Sequence, residues 1–172
     1  MGKITFIIGG ARSGKSSKAI ALAKEKAASV AFIATCEALD KEMSRRIAAH
    51  KRSRPAGWKT FECPRDISLA LKKAGNKFEV IIIDCLTLWV SNLLLERTKE
   101  KLIEGKTKRI IAALKKIKGG SIIVSNEVGL GIVPGNELGR AFRDIAGRVN
   151  QIVAQGADEV FFMAAGLVVK LK

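Results

Sequence analysis

The sequence of 172 residues contains no tyrosine, a single histidine and few other aromatic residues, namely seven phenylalanines and two tryptophans. Proteins that bind single-stranded nucleic acid commonly stack bases on aromatic side chains. The scarcity therefore weakens a nucleic-acid-binding function without excluding it. Because His50 is the only histidine, it is the only imidazole that the chain can supply to a reaction.

Cysteine and long apolar segments are also scarce. Cys36, Cys63 and Cys85 form neither a Cys-x-x-Cys pair nor an even set, which favours a reducing compartment over a disulfide-linked secreted protein. The longest apolar stretch, VFFMAAGLVV from Val160, is about half as long as a transmembrane helix. The apolar run at the N-terminus is too short for a secretory signal. We therefore expect a cytoplasmic protein without a membrane span.

Acidic residues are about half as frequent as basic ones, with 16 Asp and Glu against 31 Lys and Arg, and the formal net charge is +15. Such a charge attracts nucleic acid, anionic membranes or phosphorylated small molecules, and it does not discriminate among them. The length suits a core that needs no disulfide or metal. We predict a single domain over residues 1–172.

Apolar, β-branched segments alternate with segments of helical composition. The predicted strands are residues 4–8, 30–34, 80–84, 121–125 and 159–163, with shorter ones at 59–63 and 167–171. The predicted helices are residues 15–28, 38–51, 66–74, 86–97, 106–118 and 136–155. Most strand segments are apolar throughout rather than alternating, so both sheet faces should be covered. This pattern predicts an α/β fold with a mostly parallel sheet flanked by helices.

A glycine-rich motif, GGARSGKS, lies between the first predicted strand and helix. It matches the P-loop pattern G-x-x-x-x-G-K-[ST] with Gly9, Gly14, Lys15 and Ser16. In such a loop the backbone N–H groups and the helix N-terminus bind phosphate oxygens. Lys15 is expected to reach the β- and γ-phosphates, and the Ser16 hydroxyl is expected to bind Mg²⁺.

Two acidic residues follow apolar strand segments. Asp84 ends VIIID, and a carboxylate there would meet the glycine-rich loop at the carboxyl edge of a parallel sheet, where open α/β folds bind ligands. We predict that Asp84 binds the Mg²⁺ together with Ser16. Glu127 follows IIVSN at a second strand end. It could orient a nucleophile or a metal-bound water, or it could simply cap the strand.

The single histidine lies on a predicted helix whose apolar stripe is Leu39, Met43 and Ile47. In helical phase His50 falls about 20° from Leu39, so we expect it to face the body of the protein. Taken alone, this position is more typical of a core histidine than of a reactive one.

Basic residues surround His50 in the sequence, with Arg46 one turn before it and Lys51, Arg52 and Arg54 after it. This cluster could be a solvated turn, or it could be an anion site whose cations favour neutral, nucleophilic imidazole. A helix C-terminus has the opposite effect, so the net shift stays open.

Four segments resemble adenosylcobinamide kinase/adenosylcobinamide-phosphate guanylyltransferases over essentially the whole chain. They are GGARSGKS, ATCEALDKEMSRRIAAHKRSRPAGWKTFE from Ala34, IIIDCLTLWVSNLL from Ile81, and SNEVGLGIVPGNELGRAFRDIAGRVNQIVAQGADEVFF from Ser125. The resemblance implies two reactions. Adenosylcobinamide is phosphorylated at its aminopropanol hydroxyl with ATP or GTP, and GMP is then transferred from GTP to that phosphate with release of pyrophosphate. It also implies a RecA-like strand order and a homotrimer.

The resemblance also implies roles for individual residues. His50 matches the histidine that forms a covalent guanylyl intermediate, and Lys15 is the other expected catalytic residue. The implied nucleotide contacts are Gly9, Gly10, Ala11, Arg12, Ser13, Gly14, Lys15, Ser16, Ala34, Thr35, Cys36, Lys51, Arg52, Ser53, Arg54, Glu62 and Asp84. A phosphoramidate on imidazole would divide one difficult displacement into two easier steps.

Two alternatives compete with this function. The net charge of +15 and the P-loop would also suit a RecA-like ATPase that acts on nucleic acid, which would show strongly salt-dependent binding. A kinase that has lost the transferase activity is a further possibility, against which the intact segment around His50 argues.

Overall fold

The computed structural model describes residues 2–38, 40–52 and 54–172, and for Arg46 it describes the backbone only. The strands are β1 (Ile4–Gly9), β2 (Val30–Ala34), β3 (Lys59–Glu62), β4 (Val80–Asp84), β5 (Gly120–Asn126), β6 (Glu159–Ala164) and β7 (Leu167–Lys170). The helices are α1 (Lys15–Lys26), α2 (Lys41–Arg52), α3 (Ile67–Ala74), α4 (Leu86–Leu95), α5 (Glu100–Lys116) and α6 (Glu137–Gly156).

The described strands form one seven-stranded sheet in the order β3-β2-β4-β5-β1-β6-β7. Its pairs are parallel except for the antiparallel pair of β6 and β7. The predicted α/β fold with a mostly parallel sheet is therefore confirmed. One strand, β5, separates β1 from β4, as expected for a RecA-like order. The carboxyl ends of β2, β4, β5 and β1 consequently lie side by side at one edge of the sheet.

Both faces of the sheet are covered, because each central strand contributes side chains to two hydrophobic clusters. Ile81 and Ile83 of β4 pack in the cluster that includes α3, α4, α5 and α6. Val80 and Ile82 point to the opposite face, where they join the cluster that contains Ala19 of α1. Burial of a large aliphatic side chain stabilises a fold by about 1.5–3 kcal/mol, so these clusters provide a rigid base for the sheet edge.

The helix α5 begins at Glu100, six residues before the predicted start at Lys106. Gly105 and Thr107 have low helix propensity, and they obscure an apolar stripe that starts at Ile103. Ile103 and Thr107 are both buried, and α5 packs against α3 and α6, so tertiary packing outweighs this local preference. Within the part of the chain that the structure describes, no helix is both long enough and apolar enough to cross a bilayer.

The expectation that His50 is shielded from solvent is wrong, because the residue is exposed, although its charge still acts on Asp84 at the sheet edge. Met43, Ile47 and Ala48 of α2 are half-buried, whereas residues 49–52 are all exposed. A prediction from helical phase assumes that the whole length of a helix packs against the protein. The last turn of α2 does not pack in this way, so His50 is exposed although it is in phase with the apolar residues. Leu39, the first residue of the predicted stripe, lies outside the described residues.

Candidate active site

The glycine-rich loop (residues 9–16) joins β1 to α1 at the carboxyl edge of the sheet. Gly14 has φ 93° and ψ 6°, a left-handed conformation that suits glycine, and α1 begins at the next residue. A Cβ at Gly9 would lie 2.2 Å from the carbonyl oxygen of Met163 on β6, whereas no heavy atom lies within 4 Å of a Cβ at Gly10. Neighbouring backbone thus requires the first glycine, and the second borders open space. Ala11 and Arg12 are exposed, and Ser13 is buried.

Lys15 points back over the glycine-rich loop. Its side chain is buried, and Nζ donates to the carbonyl oxygen of Gly10 and, at 3.4 Å, to Oγ of Ser13. Burial lowers the pKa of Lys15, and the nearby Asp84 carboxylate opposes this effect. A buried ammonium group that is satisfied by loop oxygens is in position to bind phosphate oxygens instead.

The predicted metal-binding pair, Ser16 and Asp84, lies together. Asp84 ends β4, and its carboxylate accepts a hydrogen bond from the Ser16 hydroxyl. Asp84 is partly exposed at the sheet edge but densely surrounded by protein, and this burial raises the pKa of its carboxyl group. The hydrogen bond from Ser16 and the charges of His50, Arg54 and Lys15 act in the opposite direction. Within the described residues, no cluster of three or more His, Cys, Asp or Glu side chains could hold a metal ion.

Arg54 is a second partly enclosed cation beside this pair. Its guanidinium carbon lies 3.8 Å from the centre of the Phe32 ring, in a cation–π contact. Burial lowers the pKa of Arg54, and the charges of Asp84 and Glu62 oppose it. Its Nε and Nη1 atoms are buried and have no hydrogen-bond partner within the described part of the chain. Two buried N–H donors without acceptors are costly, so this arrangement favours an anionic ligand.

The end of α2 is connected to the end of β3. Lys51 forms an ion pair with Glu62, and both side chains are about half exposed, so solvent weakens the attraction. Arg52 is exposed. Ser53 lies outside the described residues, as does the side chain of Arg46.

The segment after β2 supports Asp84 from the side. Thr35 is fully buried, and its Oγ1 accepts a hydrogen bond from Cys85 N at 2.8 Å and donates to Cys85 O at 2.6 Å. Its own N–H donates to Asp84 O at 3.1 Å. Ala34 is also buried, whereas Cys36 is partly exposed. The predicted nucleotide contact at Thr35 therefore coincides with a structural clamp on the backbone of Asp84 and Cys85.

Burial makes Cys85 a structural residue, because it raises the pKa of the thiol to about 12. A thiol of that pKa stays neutral at physiological pH and is a poor nucleophile. The other two thiols are partly exposed. Among the cysteines, only Cys36 belongs to the predicted site.

Two sets of interactions around the site were not predicted from the sequence. Arg65 binds the Glu37 carboxylate with two hydrogen bonds of 3.1 and 3.0 Å and also pairs with Glu96, so it connects the segment after β2 to the end of α4. At the end of β5, Thr87 and Asn150 hydrogen-bond to the backbone of Asn126. The partners in these interactions are 24–39 residues apart in sequence. The one signal in the sequence was for Thr87, a polar residue within the otherwise mostly apolar helix α4.

Comparison with known proteins shows that the chain is similar to one family over nearly its whole length. A family model described as "Cobinamide kinase / cobinamide phosphate guanyltransferase" matches residues 5–171. The chain is 44% identical over 167 residues to "Bifunctional adenosylcobalamin biosynthesis protein CobP" of Pseudomonas aeruginosa, covering 97% of this chain and 96% of that protein.

Two enterobacterial proteins named "Bifunctional adenosylcobalamin biosynthesis protein CobU" are also similar to this chain. That of Salmonella typhimurium is 42% identical over 179 residues, and that of Escherichia coli is 39% identical over 179 residues. Each alignment covers 97% of this chain and 98% of the relative. The similarity therefore includes the glycine-rich loop, α2 and the end of β5.

Proposed function

The chain belongs to the cobinamide kinase / cobinamide phosphate guanyltransferase family, and we propose that one site at the carboxyl edge of its sheet performs both reactions. The protein is a bifunctional enzyme of cobalamin biosynthesis that phosphorylates cobinamide and transfers a guanylyl group to cobinamide phosphate. Membership of this family favours the predicted kinase and guanylyltransferase over the alternative, a RecA-like ATPase that acts on nucleic acid.

The finer proposal concerns the substrates. The kinase reaction transfers the γ-phosphoryl group of ATP or GTP to the aminopropanol hydroxyl of adenosylcobinamide. In the second reaction GTP donates GMP to that phosphate, which yields adenosylcobinamide-GDP and pyrophosphate. Both reactions need a site for a triphosphate, and the glycine-rich loop supports this with its open space above Gly10 and the buried ammonium group of Lys15.

The observation that carries the proposal is that one carboxylate lies within electrostatic range of the groups for both reactions. Asp84 interacts with Ser16, Lys15, His50 and Arg54. A hydroxyl hydrogen-bonded to a carboxylate beside a phosphate loop fits Mg²⁺, which binds few protein ligands together with substrate phosphates. We propose that Ser16 and Asp84 hold this ion, which when bound would neutralise charge on the transferring phosphoryl group.

His50 is the proposed nucleophile of the guanylyl transfer. An imidazole nitrogen attacks the α-phosphorus of GTP, a nitrogen–phosphorus bond forms, and the bond to the bridging oxygen breaks as pyrophosphate leaves. A phosphate oxygen of the second substrate then attacks the same phosphorus and releases His50. The exposure of His50 makes the ring accessible to a nucleotide. Two N–H groups of Arg54, which have no partner among the described residues, can bind phosphate oxygens.

The remaining predicted nucleotide contacts stay proposals. They are Gly9, Gly10, Ala11, Arg12, Ser13, Gly14, Ala34, Thr35, Cys36, Lys51, Arg52, Ser53 and Glu62.

Labelling with α-³²P GTP and Mg²⁺ tests the nucleophile. Wild-type protein should retain acid-labile, alkali-stable label after denaturing electrophoresis. His50→Ala should take up no label but keep the kinase activity, whereas Lys15→Ala should lose both because the triphosphate site is shared. Label that persists in His50→Ala, or loss of the kinase together with the label, would refute this role of His50.

We also propose that the protein is a cytoplasmic homotrimer. The edge strand β7 exposes Leu167 (72%) and Val169 (52%), and such apolar residues are more typical of a subunit contact than of a free edge. Light scattering should give three times the chain mass of 18.5 kDa, and a monomer would contradict the proposal.

A further inference from the structure

Glu127 lies at the carboxyl edge of the sheet, between Asp84 on one side and the glycine-rich loop on the other. It directly follows β5, which pairs with β4 on one side and with β1 on the other. Its backbone N–H donates to the carbonyl oxygen of Gly9 at 2.9 Å, so Glu127 borders the first residue of the glycine-rich loop. Along the edge the order is therefore Asp84, Glu127 and the phosphate loop.

Buried polar side chains hold this strand end in place. Asn126 N donates to Thr87 Oγ1 at 2.6 Å, and Asn150 Nδ2 donates to Asn126 O at 3.1 Å. Thr87 and Asn150 are 6% and 5% exposed, and Asn150 Oδ1 has no hydrogen-bond partner among the described residues. An unsatisfied buried oxygen costs free energy that an apolar side chain would avoid, so core packing does not account for this asparagine. Accurate positioning of Asn126 and Glu127 does account for it.

The carboxylate of Glu127 is oriented by one backbone group and is otherwise available. Gly129 N donates to Oε1 at 2.7 Å, and a Cβ at Gly129 would lie 2.8 Å from the same oxygen. The absence of a side chain at Gly129 therefore permits this contact. Within the described part of the chain, no lysine or arginine forms an ion pair with Glu127, whose side chain is partly exposed. Among the described residues Oε2 has no hydrogen-bond partner, so it can accept a proton or a hydrogen bond.

An apolar surface adjoins Glu127. The segment of residues 128–134, here called the β5–α6 loop, exposes Leu130 (79%), Ile132 (96%) and Val133 (59%). Arg143 of α6 donates to Gly129 O at 3.1 Å, and Arg140 donates to Pro134 O at 3.2 Å, so both ends of the loop are tied to α6. An anchored loop with large exposed aliphatic side chains suits the methyl-rich rim of a corrin macrocycle.

We propose that Glu127 is the general base of the kinase reaction and that the β5–α6 loop binds the corrin ring of the acceptor. The Glu127 carboxylate takes the proton of the cobinamide hydroxyl as that oxygen attacks the γ-phosphorus. The new oxygen–phosphorus bond forms while the bond to the β–γ bridging oxygen breaks, and the nucleoside diphosphate leaves with that electron pair. This inference rests on the proposed function, because it needs the triphosphate on the glycine-rich loop.

The two reactions of the enzyme provide an internal control. In the guanylyl transfer the attacking atom of the acceptor is a phosphate oxygen that carries no proton to remove, so this reaction does not need Glu127. Glu127→Gln keeps an oxygen that can accept from Gly129 N, and the loop should stay in place. We expect the kinase kcat to fall about 100- to 10,000-fold. The rates of His50 labelling by GTP and of guanylyl transfer to supplied cobinamide phosphate should stay within about twofold of wild type. A twofold change is easily distinguished from the loss of about 100-fold or more expected for the kinase.

Gly129→Ala is a second, milder variant. Its new methyl group would displace the flexible end of Glu127 rather than backbone, so thermal unfolding should match that of wild type while the kinase kcat falls. An unchanged kinase rate in Glu127→Gln would show that the residue only caps the strand. Equal losses in both reactions would show that it acts on the shared triphosphate or its metal, and either result overturns the proposal. If wild-type protein takes up no label and phosphorylates no cobinamide, the proposed function itself fails.

Ile132→Ser tests the acceptor surface. The KM for cobinamide should rise about tenfold or more while the KM for the nucleotide stays unchanged, because the loss of a large apolar contact is worth roughly one order of magnitude. Unchanged KM values for both substrates would place the ring elsewhere. A change in molecular mass by light scattering would instead identify the β5–α6 loop as a subunit contact.

Discussion

Thr35→Val should destabilise the protein far more than Thr107→Val, although both changes remove one buried hydroxyl at constant shape. The Thr35 and Thr107 side chains are 0% and 1% exposed. The hydroxyl of Thr35 is the acceptor for Cys85 N, at 2.8 Å, whereas that of Thr107 donates to Ile103 O, at 2.9 Å, one turn earlier in α5. The two residues therefore differ in what their removal leaves unpaired.

The magnitude follows from those partners. In Thr35→Val the buried N–H of Cys85 loses its acceptor, which costs about 1–3 kcal/mol, and the hydrogen bond to Cys85 O is lost at a cost of about 1 kcal/mol. Trp89 N still reaches Cys85 O at 3.3 Å, so this carbonyl keeps one donor. The expected loss is about 3 kcal/mol. In Thr107→Val the carbonyl of Ile103 keeps its helical N–H donor, so we expect a change within about 1 kcal/mol.

Thermal and urea unfolding of the ligand-free protein, followed by circular dichroism, measure the difference. For a chain of this length 1 kcal/mol corresponds to about 2–4 °C, so Thr35→Val should lower Tm by about 6–12 °C and Thr107→Val by at most about 4 °C. Thr35→Ser keeps the hydroxyl and should recover most of the loss. Equal destabilisation by the two valine variants would refute the reasoning, because the loss would then not depend on the orphaned Cys85 amide.

Two further predictions concern the sheet. Gly9→Ala should lower Tm because its Cβ would lie 2.2 Å from a backbone oxygen of β6, whereas Gly10→Ala should not, because the space is open; equal Tm values by calorimetry would contradict this. Hydrogen bonds from Lys3 and Lys170 lower the pKa of Glu159 from 4.5. The ion pairs of Glu159 contribute less than about 1 kcal/mol to the free energy of unfolding, because solvent screens them. This contribution is complete above the unfolded-state pKa of Glu159 and is lost as the pH falls through the lower folded-state pKa. Glu159→Gln should therefore be less stable than wild type at neutral pH and equally stable in strong acid; a difference that persists there in urea unfolding would disprove it.

Local sequence patterns were sufficient for the features that depend on neighbouring residues. The apolar strands are long and separated by helical segments, and each appears in the sheet within a few residues of its predicted position. The glycine-rich loop lies between a strand and a helix, as its motif requires, and Asp84 ends a buried strand next to it in space. The family resemblance is confirmed over nearly the whole chain.

Features that depend on distant partners could not be predicted in this way. The clamp of Thr35 on Cys85 joins residues 50 positions apart, and nothing in ATCEALD distinguishes a nucleotide contact from a structural hydroxyl. The exposure of His50 depends on how much surface lies under α2, which helical phase does not contain. The start of α5 was obscured by Gly105, whose low helix propensity is outweighed by the burial of Ile103.

Sequence alone was therefore enough to establish the α/β class, the glycine-rich loop between the first strand and helix, and the family, because each is encoded in contiguous residues whose spacing has a direct physical meaning. Tertiary structure decided which of the candidate residues meet. Only the parallel pairing of β4, β5 and β1 brings Asp84, Glu127 and the glycine-rich loop to one edge. Arg54 packs on the Phe32 ring because the chain after α2 leads into β3, which pairs with β2. Contacts of this kind depend on strand order and long-range packing, which the hydrophobic periodicity of the sequence does not specify.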